Sequence, residues 1–227
     1  MGTSKGYILP TKKNWTDAKR AATQLSKENN LNNRIKLANK YASAMKQDSA
    51  TSSSSAIRVI SQIIGLSQSI ANRGVEQTLK DLNKEYLLDK TPEEVLDFLI
   101  SEYSEYGNTK DNYLAIDALT ITLKELDINT IEELGNISIE VLLKEILINY
   151  IELNFKFRFE EQINKKSPNK AHEIIDSMSG YIKNKLREEL NISNLENIDF
   201  NNLNSNKIIE DKIIEAYDIF KELYGEE

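Results

Sequence analysis

The sequence predicts an all-α fold, a helical bundle of about eight helices preceded by a flexible N-terminal tail. Apolar side chains recur at spacings of three and four residues along most of the 227-residue chain. No segment shows the sustained alternation and β-branched enrichment of a strand, so no sheet is expected. Hydrophobic residues make up 40% of the chain, enough for one sizeable core or two smaller helical ones.

The beginning of the chain is predicted to be an open tail over residues 1–13. Gly2 and Gly6 disfavour a helix there, and Pro10 favours an extended conformation at the residue before it. Helical periodicity begins directly afterwards, with Asn14 as the expected cap and Trp15 as the first apolar position. The apolar positions of two successive helices are Trp15, Ala18, Ala22 and Leu25, then Leu31, Ile35, Ala38, Ala42 and Met45.

The domain organisation follows from composition. Residues 14–48 are predicted to form a small basic helical unit, and the Ser-rich residues 49–55 a flexible linker. An alternative is that the Ser-rich stretch merely caps the next helix. Residues 56–227 are predicted to form an acidic helical bundle.

Helix start and stop signals divide the acidic bundle. Gly74 is expected to end its first helix, and Gly107 a later one. Thr91 with Glu94 forms a capping-box pattern, in which the threonine oxygen and the glutamate satisfy backbone N–H groups reciprocally. Thr130 with Glu133 repeats this pattern, and Thr109 opens the helix between them.

The second half of the bundle contains the most apolar helix. After Ser138, apolar residues cover most of the helix circumference as far as Phe159, which is typical of a central helix. Ser167-Pro168 is expected to start the next helix, and a last helix is expected over residues 206–224.

Charge is distributed unevenly along the chain. Residues 1–74 carry 12 Lys/Arg against 3 Asp/Glu, and residues 75–227 carry 17 against 33. The basic region is expected either to attract phosphate or an acidic partner, or to dock on the acidic remainder of this chain or of a second copy. A nucleic-acid-binding or scaffold module is therefore the alternative function. Its phosphate contacts would come from Lys12, Lys13, Lys19, Arg20, Arg34, Lys36 and Lys40.

The sequence offers no catalytic residues that we would name. There is no cysteine, and the single histidine, His172, is expected to be an exposed or capping residue. Acidic pairs lie at helix starts and on polar faces, where solvated surface is the ordinary interpretation. We therefore expect no metal site and no cofactor. Neither a signal peptide nor a membrane-spanning run is evident, so a cytoplasmic location is expected.

The N-terminal amine is the one group with distinctive chemistry. Initiator methionine is normally removed before a glycine, which would leave Gly2 with a free α-amino group. The ordinary pKa of such a group is about 8, against about 10.4 for lysine. Roughly a quarter to a third of α-amines are therefore neutral and nucleophilic at about pH 7.5, against about a tenth of a per cent of lysines.

The first residues also carry a family resemblance. Met1 to Tyr7, with Pro10-Thr11, Trp15 and Lys19, resembles the N-terminus of the QatB family, the B component of bacterial Qat anti-phage defence systems. The specific part of the resemblance covers about the first 20 residues. The remainder is similar in length, helicity and order.

The resemblance implies partners and a role. The expected neighbours are QatC, which is similar to the deazaguanine-forming enzyme QueC, together with the ATPase QatA and the TatD-like nuclease QatD. QueC-type chemistry uses ATP to activate a deazaguanine carboxylate for attack by ammonia. A protein α-amine is able to take the place of that ammonia. The resemblance therefore implies a non-enzymatic adaptor modified at Gly2. The recognition residues would be Thr3, Ser4, Lys5, Gly6, Tyr7, Pro10 and Trp15.

Overall fold

The computed structural model describes residues 10–52, 54–105, 109–195, 198–202 and 205–221. Within these ranges the chain forms nine α-helices and a 3-10 turn at Glu85–Leu87, with no strand, which confirms the all-α prediction. The helices are α1 (Lys13–Lys27), α2 (Leu31–Ser52), α3 (Ser54–Asp81), α4 (Pro92–Glu105), α5 (Lys110–Glu125), α6 (Ile131–Asn136), α7 (Ile139–Lys166), α8 (Ala171–Glu189) and α9 (Ser205–Asp218).

The three threonine caps form as predicted. Glu94 N–H donates to Thr91 Oγ1 at 3.3 Å, and Thr91 N–H donates to the Glu94 carboxylate at 2.9 Å. At α6, Thr130 and Glu133 make the same reciprocal pair. At α5, the Thr109 hydroxyl accepts a single bond from a backbone N–H. These caps form because they depend only on residues three apart in the chain.

Two helix starts differ from the prediction. Asn14 is not the cap of α1, because the helix already begins at Lys13 and the Asn14 side chain instead donates to Ser43 O at 3.4 Å. α8 begins at Ala171 rather than at Pro168, since the residues after Ser167 form a turn. The Ser167 hydroxyl donates to the Ser26 carbonyl at 2.6 Å instead of capping α8.

The Ser-rich stretch is helical on both sides of residue 53. α2 continues to Ser52 and α3 begins at Ser54, so the described part of residues 49–55 is not an extended linker. Serine is only a moderately poor helix former, so a short run of serines does not by itself prevent a helix. Gly74 does interrupt α3, with φ 78° and ψ 167°, and a short second segment follows it. The predicted stop at Gly107, most of the tail (residues 1–9), and the chain after residue 221 lie outside the described residues.

The chain divides into two compact units that differ from the predicted domains. Unit 1 comprises residues 1–51, 151–190 and 214–227, and unit 2 comprises residues 52–150 and 191–213. A boundary does fall within the Ser-rich stretch. The basic helices α1 and α2, however, share their unit with α8 and with parts of α7 and α9, so residues 14–48 do not form a unit alone.

Unit 1 is organised around buried aromatic rings. The ring of Tyr41 lies edge-on to Phe155, Phe159 and Tyr217, with centroids 5.7, 5.9 and 5.7 Å away. Edge-to-face pairs of this kind are favourable beyond their buried area. The Tyr41 hydroxyl also donates to the Ile151 carbonyl at 3.1 Å. One residue of α2 thereby joins α7 and α9.

Unit 2 is built on α3, which packs against α4, α5 and α6. The Ser67 hydroxyl donates to the Leu134 carbonyl at 2.8 Å, tying α3 to α6. Gly135 lies directly against Ile70, where a side chain would overlap. On the other side, the Asn149 amide of α7 donates to Thr122 Oγ1 at 3.0 Å.

Candidate functional site

One carboxylate holds the start of α1. Asp48, on α2, accepts hydrogen bonds from the Trp15 indole Nε1 at 2.6 Å and from Lys12 Nζ at 2.8 Å. The Asp48 side chain is 13% exposed and that of Lys12 is 55% exposed, whereas Trp15 is fully buried. Charge-assisted bonds of this kind are roughly twice as strong as neutral ones. The beginning of α1 is therefore tied to α2.

Trp15 is a core residue of unit 1. The Arg158 guanidinium carbon lies 4.9 Å from the indole centroid, and the Phe159 ring lies 6.3 Å away. A ring with no exposed surface offers a partner nothing to contact in this conformation. Recognition of Trp15 by a partner stays a prediction. In this conformation Trp15 would contribute only indirectly, because it bonds to Asp48 and Asp48 in turn positions the exposed Lys12.

Pro10 lies at the start of the described chain and is held from α1. Its carbonyl accepts a hydrogen bond from Lys19 Nζ at 3.2 Å, so the backbone is fixed to the helix just before that helix begins. The other predicted recognition residues and the predicted modification site lie outside the described residues, and their roles stay predictions. These are Gly2, Thr3, Ser4, Lys5, Gly6 and Tyr7.

Several cations of the predicted phosphate-binding surface have bonds within unit 1. Lys12 and Lys19 are engaged as above, Arg20 lies 3.4 Å from Asp17, and Arg34 donates to a side-chain amide at 3.0 Å. Exposed pairs are weak, so they do not prevent phosphate binding. The carboxylates of Asp48 and Asp17 do offset part of the positive charge that this surface presents. Nucleic-acid binding stays an untested alternative.

The remaining candidate groups form no recognisable catalytic arrangement among the described residues. The His172 side chain is 93% exposed and lies 3.2 Å from Asp176 on the same helix. A base in a nucleophilic triad is instead held by a second residue in a sheltered site. Within the described ranges there is no group of three or more His, Cys, Asp or Glu side chains placed to hold a metal ion.

No described helix is both long and apolar enough to span a bilayer.

Sequence reasoning did not find the two residues that hold Trp15. Asp48 is 33 positions away and Arg158 is on α7, in a separate segment of the chain. Helical periodicity reports which face is buried, but it does not report which polar residue of another helix meets that face. The only signal in the sequence was Asp48 itself, an acidic residue near the end of a basic segment.

Fold and site together define an all-α protein whose described residues contain no recognisable catalytic centre and which holds the beginning of α1 by a buried indole–carboxylate bond. A family model for the Qat anti-phage system associated protein QatB matches residues 45–220, more than three quarters of the chain. The chain belongs to the QatB family and is thus a component of an anti-phage defence system. The matched range excludes the first 20 residues that carry the resemblance, so the two observations concern different parts of the chain. No curated protein and no solved structure matches the chain.

Proposed function

We propose that this QatB-family protein is a non-enzymatic adaptor whose N-terminal glycine is joined to a deazaguanine by a QueC-like partner enzyme. The observation that carries the proposal is the anchor at the start of α1, where Lys19 holds Pro10 and Asp48 holds Lys12 and Trp15. Because the start of α1 is held in this way, the tail before it is able to bind another protein while the packing of unit 1 stays unchanged.

The length of the tail fits this role. Pro10 lies eight positions after Gly2, and a fully extended chain spans at most about 26–29 Å over that distance. That is roughly the diameter of a small domain, so Gly2 has the reach to enter an active-site cleft while the body stays outside. Gly2 and Gly6 have no side chains to obstruct a narrow entrance.

The reaction is an amide formation that balances with ATP and a 7-carboxy-7-deazaguanine. The partner enzyme converts the carboxylate and ATP into an acyl adenylate and releases pyrophosphate. The neutral α-amine of Gly2, exposed once Met1 is removed, attacks the acyl carbon. The C–N bond forms, AMP leaves, and the amine loses a proton.

The α-amine is the appropriate nucleophile because its ordinary pKa lies near physiological pH. About a quarter to a third of such groups are neutral at about pH 7.5, so the enzyme does not need to shift a pKa. The enzyme would discriminate against Lys5, the nearest lysine amine, because almost all lysine side chains are protonated under the same conditions.

Intact-mass and peptide mass spectrometry test the proposal. The protein is purified after expression with the active QueC-like partner and with a catalytically inactive version of it. We expect an added deazaguanine acyl group on the N-terminal peptide only with the active partner. An unmodified peptide in the presence of active enzyme, ATP and precursor would contradict the proposal.

Two matched variants locate the modified amine. Gly2→Pro replaces the primary amine with a hindered secondary one, and it is expected to abolish both the added mass and phage protection. Lys5→Arg keeps the positive charge but removes the nearest lysine amine, and it is expected to retain modification. Loss of the added mass with Lys5→Arg but not with Gly2→Pro would assign the modification to the lysine instead.

A further inference from the structure

Unit 2 contains a cleft of about 480 Å³ along one face of α3. Among the residues of α3 that line it, five follow one another at spacings of three and four, as one helix face requires. They are Arg58, Gln62, Leu66, Ser69 and Arg73. Cavities that hold small molecules usually measure about 300–1,000 Å³ and combine apolar walls with a few convergent polar groups. The cleft therefore has the size and lining of a ligand site.

Another wall of the cleft comes from residues 198–201, which are hydrogen-bonded to α3. Gln68 Nε2 donates to the Ile198 carbonyl at 2.5 Å, and the Phe200 N–H donates to Gln68 Oε1 at 2.9 Å. A Cβ added at Gly65 would lie 3.0 Å from the Asn201 side chain and 3.1 Å from the Phe200 carbonyl, so glycine allows this close approach. Phe200 and Asn201 both line the cleft, and a preformed wall reduces the cost of binding.

The polar end of the cleft is an arginine–carboxylate pair. Arg73 Nη1 forms an ion pair with Asp81, and Arg73 Nη2 donates to Ser69 Oγ at 2.9 Å. Eight residues of straight helix rise about 12 Å, so the pair depends on the interruption of α3 at Gly74. Asp81 is 35% exposed and also accepts from Gln77 at 2.7 Å. A carboxylate has about four acceptor sites and a guanidinium five donors, so both groups retain bonding capacity.

Two further features suit a flat ligand with a polar edge. Leu66, Leu82, Tyr103 and Phe200 supply apolar surface to the cleft. Gln62 Oε1, on the α3 side, is buried and has no hydrogen-bond partner among the described residues. A buried acceptor without a donor is costly, and it calls for an explanation such as a ligand or a water.

We propose that this cleft binds a guanine-type base. Such a base presents a carbonyl acceptor, a ring N–H and an amino group in a row on one edge. The Arg73 guanidinium donates to the carbonyl, and the neighbouring Asp81 carboxylate accepts from the two N–H groups. An adenine edge has no such pair of adjacent donors, and its ring nitrogen lone pair would face the carboxylate.

This inference does not require that Gly2 be modified. The base of the proposed conjugate belongs to the same ligand class, but the two proposals rest on different residues. Binding to the cleft is measured with the protein alone, without the QueC-like partner. A failure of either proposal is therefore distinguishable from a failure of the other.

Isothermal titration calorimetry with guanosine and adenosine tests the inference on the full chain. Guanosine is expected to bind the wild type at least about tenfold more tightly than adenosine, since a bidentate base contact discriminates by about that factor. Asp81→Asn is expected to weaken guanosine binding by about the same factor. The control is Asp17→Asn, which removes the carboxylate of another exposed Asp–Arg pair, 3.4 Å from Arg20 in unit 1.

Circular dichroism of each variant checks that the helices are intact. Equal affinity for the two nucleosides, no binding of guanosine, or unchanged affinity in a folded Asp81→Asn variant would each overturn the inference. The wild-type comparison needs no substitution, so the test remains decisive even if Asp81→Asn fails to fold.

Discussion

The bond between Trp15 and Asp48 provides the sharpest test of how the start of α1 is held. Asp48→Ala removes the acceptor that lies 2.6 Å from the buried indole N–H and 2.8 Å from the Lys12 ammonium. A buried donor left without an acceptor costs about 1–3 kcal/mol. The ion pair between Lys12 and Asp48, in which the lysine side chain is exposed, adds only about 0.2–1 kcal/mol. We therefore expect Asp48→Ala to lower the free energy of unfolding by about 2–3 kcal/mol.

A double-mutant cycle isolates the indole contribution. In a Trp15→Phe background there is no indole N–H to leave without an acceptor. Asp48→Ala should then lower the free energy of unfolding only by the smaller contribution of the Lys12 ion pair. The coupling between the two substitutions is expected to be about 1–2 kcal/mol. Lys12→Met, which keeps Asp48 and Trp15, serves as the control and should cost less than about 1 kcal/mol.

Urea unfolding followed by far-ultraviolet circular dichroism measures all four corners of the cycle. Trp15 is the only tryptophan of the chain, so its fluorescence reports the same site independently in the variants that retain it. A coupling below about 0.5 kcal/mol would refute the reasoning, because distant and independent sites already show deviations of that size.

Three further predictions concern helix packing and capping. Gly135→Ala should lower the free energy of unfolding by about 1–3 kcal/mol, because its Cβ would lie 2.9 Å from Ile70 Cβ. Gly180→Ala, at a helical position with open space, should instead be neutral or stabilising by up to about 1 kcal/mol, and similar values for the two would contradict this packing. Thr130→Ala should lower the free energy of unfolding in urea by about 1 kcal/mol, because the α6 cap is lost. An unchanged free energy would mean that the cap is not formed in solution. The backbone N–H groups of Asn129 and Thr130 lower the pKa of the Glu133 carboxyl. Its stabilisation is therefore present above the ordinary glutamate pKa and lost as pH falls through the lowered value. Unfolding midpoints of wild type and Glu133→Gln should converge in acid, and a constant difference would count against the bond.

Local signals predicted the parts of the fold that depend on neighbouring residues. The capping boxes at Thr91 and Thr130 formed because donor and acceptor are three positions apart. The interruption at Gly74 was likewise predictable, since its backbone angles suit glycine. The start of α8 was wrong by three residues because Ser167 bonds to a distant carbonyl instead.

The organisation into units was less predictable from local sequence. Charge and the Ser-rich stretch suggested that residues 14–48 stand alone, yet Tyr41 packs on rings of α7 and α9. Those rings are more than 100 positions away in the chain. Periodicity predicted Ala38, Ala42 and Met45 of the buried face of α2 but not Tyr41, and it wrongly included Leu31, which is exposed. Only the three-dimensional structure identified what covers that face. The same limit applied to Asp48 and to the cleft on α3.

The discontinuity of unit 1 has a consequence for synthesis on the ribosome. Tyr41 of α2 packs against Tyr217 of α9, and Lys46 Nζ lies 2.6 Å from an Asp218 carboxylate oxygen, so the unit that supports the N-terminal anchor needs residues more than 170 positions further along the chain. A nascent chain therefore carries Gly2 long before the segment that completes the support has been translated. An enzyme that requires the folded support would act only after α9 has been made.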